Sequence, residues 1–341
     1  MKAIRIIEPR KMSVVEMDAP LCGTGEVLVR MKYVGFCGSD LNTYRGLNTM
    51  ALMPVIPGHE IGGEIVGMGP DVPPTLRKGM TVTVNPYTSC GVCPACRSRR
   101  YNACEHNETL GVQRNGAMRE LIALPWQKVI PVGDITPEHA ALIEPMSVGF
   151  HAVSRAQAVD TDVVMIIGCG MVGVGAVIRS LLRGAKVIAC DVDDEKLAIV
   201  KRLGADFTIN SAKENVHERL MEITDSMGPN IVIEAVGSPQ TYQMAVNEVA
   251  FCGRVICIGY SKKDVEFTTK YFVQKELDIR GSRNALPEDF DGVIRYLNKY
   301  NPPYDVLISG IVKPEEAEAA MQQWDAAPAK VFRILVDFDS K

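Results

Sequence analysis

The sequence predicts an α/β protein of two parts: a compact, mostly β domain and a doubly wound domain built on a parallel sheet. Three observations predict it. Four cysteines crowd one short loop, at Cys90, Cys93, Cys96 and Cys104. The texture changes near residue 150, from short β-type runs broken by Gly and Pro to apolar strands alternating with helical segments. A glycine-rich turn directly follows the first of those apolar strands. The 341 residues suffice for two substantial cores. A hydrophobic fraction of 47% and a charged fraction of 23% are ordinary for a soluble globular protein. The net charge of −4 gives no basic excess for nucleic acid or a membrane surface. The start, MKAIRIIEPRKM, has no apolar core of signal-peptide length, and no apolar run approaches a membrane span. The reading is cytoplasmic, with the ten cysteines reduced.

In chain order, the β-type runs are Glu26 to Met31, Gly63 to Gly67 and Met80 to Val84, whose spacing suggests antiparallel pairing. The cysteine loop follows, within about residues 88–106. Its C-x2-C-x2-C-x7-C spacing can close four thiolates around one Zn²⁺ with no position left for substrate, which makes the metal structural. The alternatives are four ordinary thiols or two disulfides. From about residue 151 to 286 the apolar runs Val163–Ile167, Lys186–Cys190, Ile231–Ile233 and Arg254–Ile258 read as central strands of a parallel sheet. A further helix is expected at Pro287 to Tyr300 and a last strand at Lys330 to Phe338. The expected division is 1–150 with 287–341, and 151–286.

Gly168, Gly170 and Gly173 form a G-x-G-x-x-G, with Met171 and Val172 opening the helix after it. Alone this motif is weak. Here it follows an apolar strand, opens a helix, and has Asp191 at the end of the next strand. The glycines permit a tight turn, close approach to a pyrophosphate and close helix–strand packing, while the helix N-terminus offers free N–H groups. Asp191 can accept from both ribose hydroxyls and would repel a 2′-phosphate. Val192-Asp193-Asp194 supply no cation to offset that, so the expected cofactor is NAD rather than NADP.

Cys37 lies in G-F-C-G-S-D, His59 and Glu60 in P-G-H-E, and Glu144 in L-I-E-P. One Cys, one His and one or two carboxylates can make an open zinc site with room for a substrate oxygen. Taken one at a time, each is equally a satisfied structural side chain.

The joint pattern resembles the zinc-containing medium-chain dehydrogenase/reductase superfamily over essentially the full length. The matching pieces are G-F-C-G-S-D at 35–40, G-H-E with its following glycines at 58–63, the four-cysteine lobe, A-L-I-E-P at 141–145 and the G-x-G-x-x-G with Asp191. The resemblance implies a GroES-like catalytic domain, a Rossmann cofactor domain, NAD and two zinc ions per chain, one catalytic and one structural. It implies Cys37 and His59 as ligands of the catalytic zinc. Glu60 and Glu144 would be further ligands or hold the metal-bound water. Glu144 stands where many simple alcohol dehydrogenases have a cysteine, which points to the polyol branch. Ser39 resembles the family's hydroxyl relay, and Asp40 the carboxylate that orients the zinc-bound imidazole. Asn42 stands where many members carry a relay histidine. The implied chemistry is polarisation of an alcohol by zinc, loss of its proton through Ser39 and hydride transfer to the nicotinamide.

The run from Gly281 to Phe290 is similar to hexonate 5-dehydrogenases of the L-galactonate type, with sorbitol, galactitol-phosphate and threonine dehydrogenases as close relatives. Arg283 and Asn284 are therefore substrate candidates: an Arg fork grips a carboxylate or vicinal hydroxyls bidentately. Arg283 can equally pair with a structural carboxylate or a cofactor phosphate. Tyr44, Leu47 and Met50 can line a substrate pocket or serve packing. The expected reaction is oxidation of a secondary alcohol of a polyol or sugar acid to a ketone; an L-threonine 3-dehydrogenase-type reaction is the alternative, and a non-catalytic NAD- and zinc-binding homologue a more remote one. The resemblance also implies a homo-oligomer, a tetramer before a dimer, paired through the strand at Arg254–Ile258 and the segment after it.

Overall fold

The computed structural model describes residues 1–300 and 302–339, so residues 301, 340 and 341 of the expected span 287–341 lie outside the described residues. The chain divides into two units: Met1–Glu144 with Leu286–Lys341, and Pro145–Ala285. The first boundary falls after Glu144 rather than after residue 150. Ile143–Ala156 is one continuous helix, and its body packs on the helix Met171–Leu182: a Cβ added at Gly175 would lie 2.9 Å from Met146 Cα.

The first unit is built on a seven-stranded sheet. Its centre is the long strand Glu26–Gly35, antiparallel to Glu60–Met68, to Ile334–Asp337 and, near its start, to Leu121–Pro125. Thr81–Val84 and Val129–Pro131 extend the sheet beyond Glu60–Met68, and Gly310–Val312 extends it beyond Ile334–Asp337. Alternating residues of the central strand, Val27, Val29 and Met31, are fully buried with Ile4, Ile61, Ile65 and Ile122, as period-2 patterning requires. Two register shifts between Glu26–Gly35 and Glu60–Met68 accommodate the glycine-rich partner strand.

The second unit carries a six-stranded, all-parallel sheet. In space its strands run Phe207–Asn210, Lys186–Asp191, Val163–Ile167, Ile231–Glu234, Arg254–Cys257, Asp278–Gly281. Numbered along the chain this is 3-2-1-4-5-6, the order of a dinucleotide-binding sheet. Order reverses beside Val163–Ile167, so the crevice for a ligand opens at the carboxyl end of that strand, where the glycine-rich turn sits. The outer strands Phe207–Asn210 and Asp278–Gly281 were not foreseen. Each has only four residues, and Asp278–Gly281 is mostly exposed, so neither has the apolar run that marks a central strand. The strand Arg254–Cys257 is paired on both sides. Both its edges are therefore taken within the sheet; the open edges are Phe207–Asn210 and Asp278–Gly281.

Candidate functional site

Three strand ends meet in the first unit. In the sheet register Gly35 faces both Glu60 and Leu335. Cys37 is therefore just beyond the end of one strand, His59 just before the start of the next, and Arg333 just before the third. Glycines make the approach possible. A Cβ at Gly35 would collide with the Glu60 carboxylate. One at Gly62 would collide with the Pro137 carbonyl, so the G-H-E strand accepts the 137–141 segment against its backbone and the chain then reaches Glu144.

The ligand atoms of Cys37, His59 and Glu60 all lie within 4.8 Å of one another. Burial there is deep: Glu60 is 0% and His59 5% exposed. His59 Nδ1 is buried without a hydrogen-bond partner among the described residues. A buried ring nitrogen without a hydrogen-bond partner beside a thiol and a carboxylate fits a set of metal ligands, because buried polar atoms otherwise find partners. Burial raises Glu60 to about 7, against the pull of Arg333 and His59. Burial likewise raises Glu144 and Asp40. Burial alone would lower His59, but Cys37, Asp40 and Glu144 outweigh it and push the imidazole well above its ordinary value. So much negative charge around one imidazole calls for a cation.

Glu144 stands apart from the tight trio. It is nine-tenths and more buried, in the first turn of the helix Ile143–Ala156, and accepts a hydrogen bond on Oε1 from the Tyr87 hydroxyl. Asp40, wholly buried, uses its carboxylate on the backbone: Oδ2 accepts from Cys37 N–H at 2.9 Å and Oδ1 from Gly58 N–H at 3.3 Å. It thus fixes both ligand-bearing turns through their amides, a different route from the expected hydrogen bond to the imidazole. Ser39 Oγ is buried and without a partner among the described residues, a hydroxyl available to a substrate proton. Tyr44 is corrected: it is only 2% exposed, packed in the core, with its hydroxyl donating to Arg10 O at 3.0 Å. Its helix, Gly38–Tyr44, turns the ring into the core. Leu47 and Met50 are exposed at about half their surface, 52% and 48%.

The four cysteines of the lobe form a second group with sulfurs within 4.8 Å of one another, and none is in a disulfide. Cys93 Sγ and Cys104 Sγ are 3.9 Å apart. A tetrahedron with Zn–S bonds of about 2.3 Å has edges of about 3.8 Å, so the spacing fits zinc. Backbone N–H groups of Glu105 and Cys96 aim at Cys93 and lower it to about 6, favouring the thiolate that a metal needs.

In the second unit Gly168 has φ +96, and a Cβ at Gly173 would collide with the Gly168 carbonyl. A Cβ at Gly170 would meet nothing within 4 Å. Gly170 caps the helix Met171–Leu182 with no side-chain hydrogen bond, which leaves its first amides for an anion. Asp191 accepts from Cys169 N–H at 2.7 Å and from the N–H groups of Val192 and Asp193 at 2.7 and 3.1 Å. It thereby ties the glycine turn to the end of the neighbouring strand. These residues fit a dinucleotide.

Two family models match: an alcohol dehydrogenase GroES-like domain over residues 23–134 and a zinc-binding dehydrogenase over residues 172–299. L-galactonate-5-dehydrogenase of Escherichia coli strain K12 is 33% identical over 303 residues, covering 89% of this chain and 88% of the relative. The chain belongs to the zinc-binding alcohol dehydrogenase family. It is a dehydrogenase of CH–OH donors. Galactitol-1-phosphate dehydrogenase from Escherichia coli has the same fold with a TM-score of 0.91 and 29% identity, over 99% of this chain and 100% of that one. An alcohol dehydrogenase from Escherichia coli CFT073, solved with its cofactor NADH, gives a TM-score of 0.90 at 29% identity over 99% of both chains.

Three side chains of this dehydrogenase escaped the sequence reading. Arg333 pairs with Glu60, Nη1 to Oε1 at 2.9 Å, and also donates to the Phe36 carbonyl. A lone cation inside the apolar run V-F-R-I-L-V was the available signal. Tyr87 precedes the cysteine lobe by three residues, and nothing in its context marks it. Glu234, fully buried, ends the strand Ile231–Glu234; its Oε1 accepts from Val236 N–H, Gly237 N–H and Thr241 Oγ1 at 2.9, 2.8 and 2.8 Å. That shapes the turn whose Val236 lies against Gly168. A carboxylate closing an all-apolar strand was the signal there. Arg283 and Asn284 follow the strand Asp278–Gly281, and both already have partners. Among the described residues no helix is long and apolar enough to cross a membrane.

Proposed function

We propose that this dehydrogenase oxidises a secondary alcohol of a polyol or sugar acid to a ketone, with NAD as acceptor. The observation that carries the reading is the trio Cys37, His59 and Glu60 within 4.8 Å, with the carboxylate Glu144, not a thiol, close by. Bound there, zinc polarises the substrate oxygen and the nicotinamide accepts the hydride. The chain's own groups do the rest. Asp40 holds the turns that carry Cys37 and His59. Ser39 Oγ relays the hydroxyl proton, accepting it as it passes its own to the cofactor ribose. Glu60 and Glu144 are the further metal ligands, and carboxylates suit a polyhydroxylated substrate whose second oxygen also approaches the site. In the cofactor turn, Gly168, Gly170, Met171, Val172 and Gly173 cradle the pyrophosphate and Asp191 takes the ribose hydroxyls. Because Val192, Asp193 and Asp194 offer no cation, NAD is preferred to NADP.

The similarity to an L-galactonate dehydrogenase supports a sugar acid, with Arg283 as the candidate partner of its carboxylate. The enzyme works in the cytoplasm as a homo-oligomer, a tetramer more readily than a dimer. The open strand Asp278–Gly281, with Ile279 exposed, is the edge that supports pairing with a second copy. The test is an NAD-reduction screen of zinc-replete enzyme over aldonates, polyols, sugar phosphates and L-threonine. Turnover of an aldonate or polyol is expected. Turnover of threonine alone, or of simple primary alcohols alone, would overturn the substrate class.

A further inference from the structure

Glu234 closes the otherwise apolar strand Ile231–Glu234 and is fully buried. A buried carboxyl group is costly unless donors meet it. Here three meet one oxygen: Val236 N–H, Gly237 N–H and Thr241 Oγ1 reach Oε1 at 2.9, 2.8 and 2.8 Å. Thr241 Oγ1 also lies 2.8 Å from Ser238 Oγ, so the hold extends to the first turn of the helix Pro239–Glu248. The backbone is equally engaged. Glu234 O accepts from Ile258 N–H, and Ala235 N–H donates to Ile167 O, each at 2.9 Å. Ile167 is the last strand residue before the glycine turn.

The segment 235–237 is thus folded over its own carboxyl group, and it abuts the glycine turn. A Cβ at Gly168 would lie 2.7 Å from Val236 Cγ2. Strand order reverses between Val163–Ile167 and Ile231–Glu234, so the two turns flank the crevice, and Val236 is half-exposed there. Gly237 has φ +83, and a turn through such a glycine has little stiffness of its own. Its position depends on what holds its amides.

We propose that Glu234 is a positioning residue for the cofactor: by gathering the Val236 and Gly237 amides on one oxygen it fixes the Val236 side chain beside the glycine turn, as a wall of the crevice. It acts through Val236 and Gly168. This rests on the reading above that Gly168 to Gly173 cradle the pyrophosphate of NAD.

The experiment measures NAD binding by calorimetry to zinc-replete wild type, Glu234→Ala, Glu234→Gln, Thr241→Val, Val236→Ala and the Glu234→Ala/Val236→Ala double variant. Melting temperature without NAD and kcat at saturating NAD are recorded alongside. Glu234→Ala leaves two amides without their acceptor, so only a fraction of molecules hold the binding-ready turn and apparent affinity falls in proportion. Kd for NAD should rise roughly tenfold. With NAD saturating, kcat should stay within about twofold of wild type, because the loss is in binding. Glu234→Gln keeps an acceptor oxygen and should stay within about threefold of the wild-type Kd, and Thr241→Val, which removes one donor and leaves the carboxyl group in place, should raise Kd by about threefold. In the Val236→Ala background Glu234→Ala should add little. Wild type that binds NAD, with Kd unchanged in Glu234→Ala, would overturn this inference and leave the cofactor reading standing. So would a Glu234→Gln loss as large as that of Glu234→Ala, or an undiminished effect in the Val236→Ala background. If Glu234→Ala does not fold, an unchanged Kd in Thr241→Val overturns it. Wild type that binds no NAD would overturn the cofactor reading itself, and this inference with it.

Discussion

Replacing Arg333 by Met removes the cation from a pair whose side chains are 7% and 0% exposed, at similar volume. Breaking a buried pair ordinarily costs about 3–5 kcal/mol, because a charge is left uncompensated. Glu60 has an escape. Its folded value is already about 7, so near neutrality it can take up a proton instead of standing alone as an anion. In protein emptied of metal at the Cys37 site, the cost at pH 7 should therefore fall to about 1 kcal/mol, mostly the lost hydrogen bond to the Phe36 carbonyl. Above pH 7 the wild-type carboxylate is held ionised by Arg333, while the variant must still protonate it. The penalty then grows by about 1.4 kcal/mol per pH unit, to about 4 kcal/mol at pH 9. Urea unfolding of wild type and Arg333→Met at pH 7, 8 and 9, after mild chelation that spares the four-cysteine site, reads this directly. In a Glu60→Gln background the pH dependence of the penalty should vanish. A penalty that is flat with pH, or falls as pH rises, would refute the assignment of Arg333 to Glu60.

The same carboxyl sets a slope in the wild type without its catalytic metal. Its folded value lies above the usual 4.5, so the folded chain binds more protons, and stability should fall as pH rises from about 4.5 to 7; a rising melting temperature across that window would contradict this. Asp191→Gly with Val192→Arg should weaken NAD use and admit NADP, since a repelling carboxylate becomes a cation on an exposed strand end; steady-state kinetics with both cofactors checks it, and equal wild-type use of the two would remove Asp191 from the ribose. Arg283→Ala should cost an aldonate roughly 2–5 kcal/mol in kcat/KM and a neutral polyol much less, if the guanidinium holds the carboxylate; equal losses would assign Arg283 to the cofactor or the fold.

How far the sequence could be read follows from what each group needs. The four cysteines were legible because a metal shell imposes short spacing, and the cofactor turn because its glycines, strand and Asp191 are all local. Val163–Ile167 was legible to the residue because a strand buried on both faces must be apolar throughout. Cys37, His59 and Glu144 were legible only jointly: Cys37 and His59 meet through the register of Gly35 with Glu60, and Glu144 arrives by way of Gly62, neither of which is visible as a pattern in the chain. Arg333 comes from the far end of the sequence and reaches Glu60 only because its strand pairs with Glu26–Gly35. Tyr44 misled because a tyrosine two turns after a ligand has the same sequence signature whether it faces a pocket or the core. The edge strand Asp278–Gly281 was hidden by its exposure, which erases the hydrophobic run that announced its neighbours.

The most direct test of the account is the zinc content and turnover of Cys37→Ser. Two groups of ligands predict two zinc ions per chain in the wild type. The variant should keep one, in the four-cysteine site, keep its melting temperature and its affinity for NAD, and lose NAD reduction on the wild type's best secondary alcohol. A variant that retains both zinc ions, or that still turns over its substrate at the wild-type rate, would contradict the assignment of Cys37, His59 and their carboxylates as the catalytic centre.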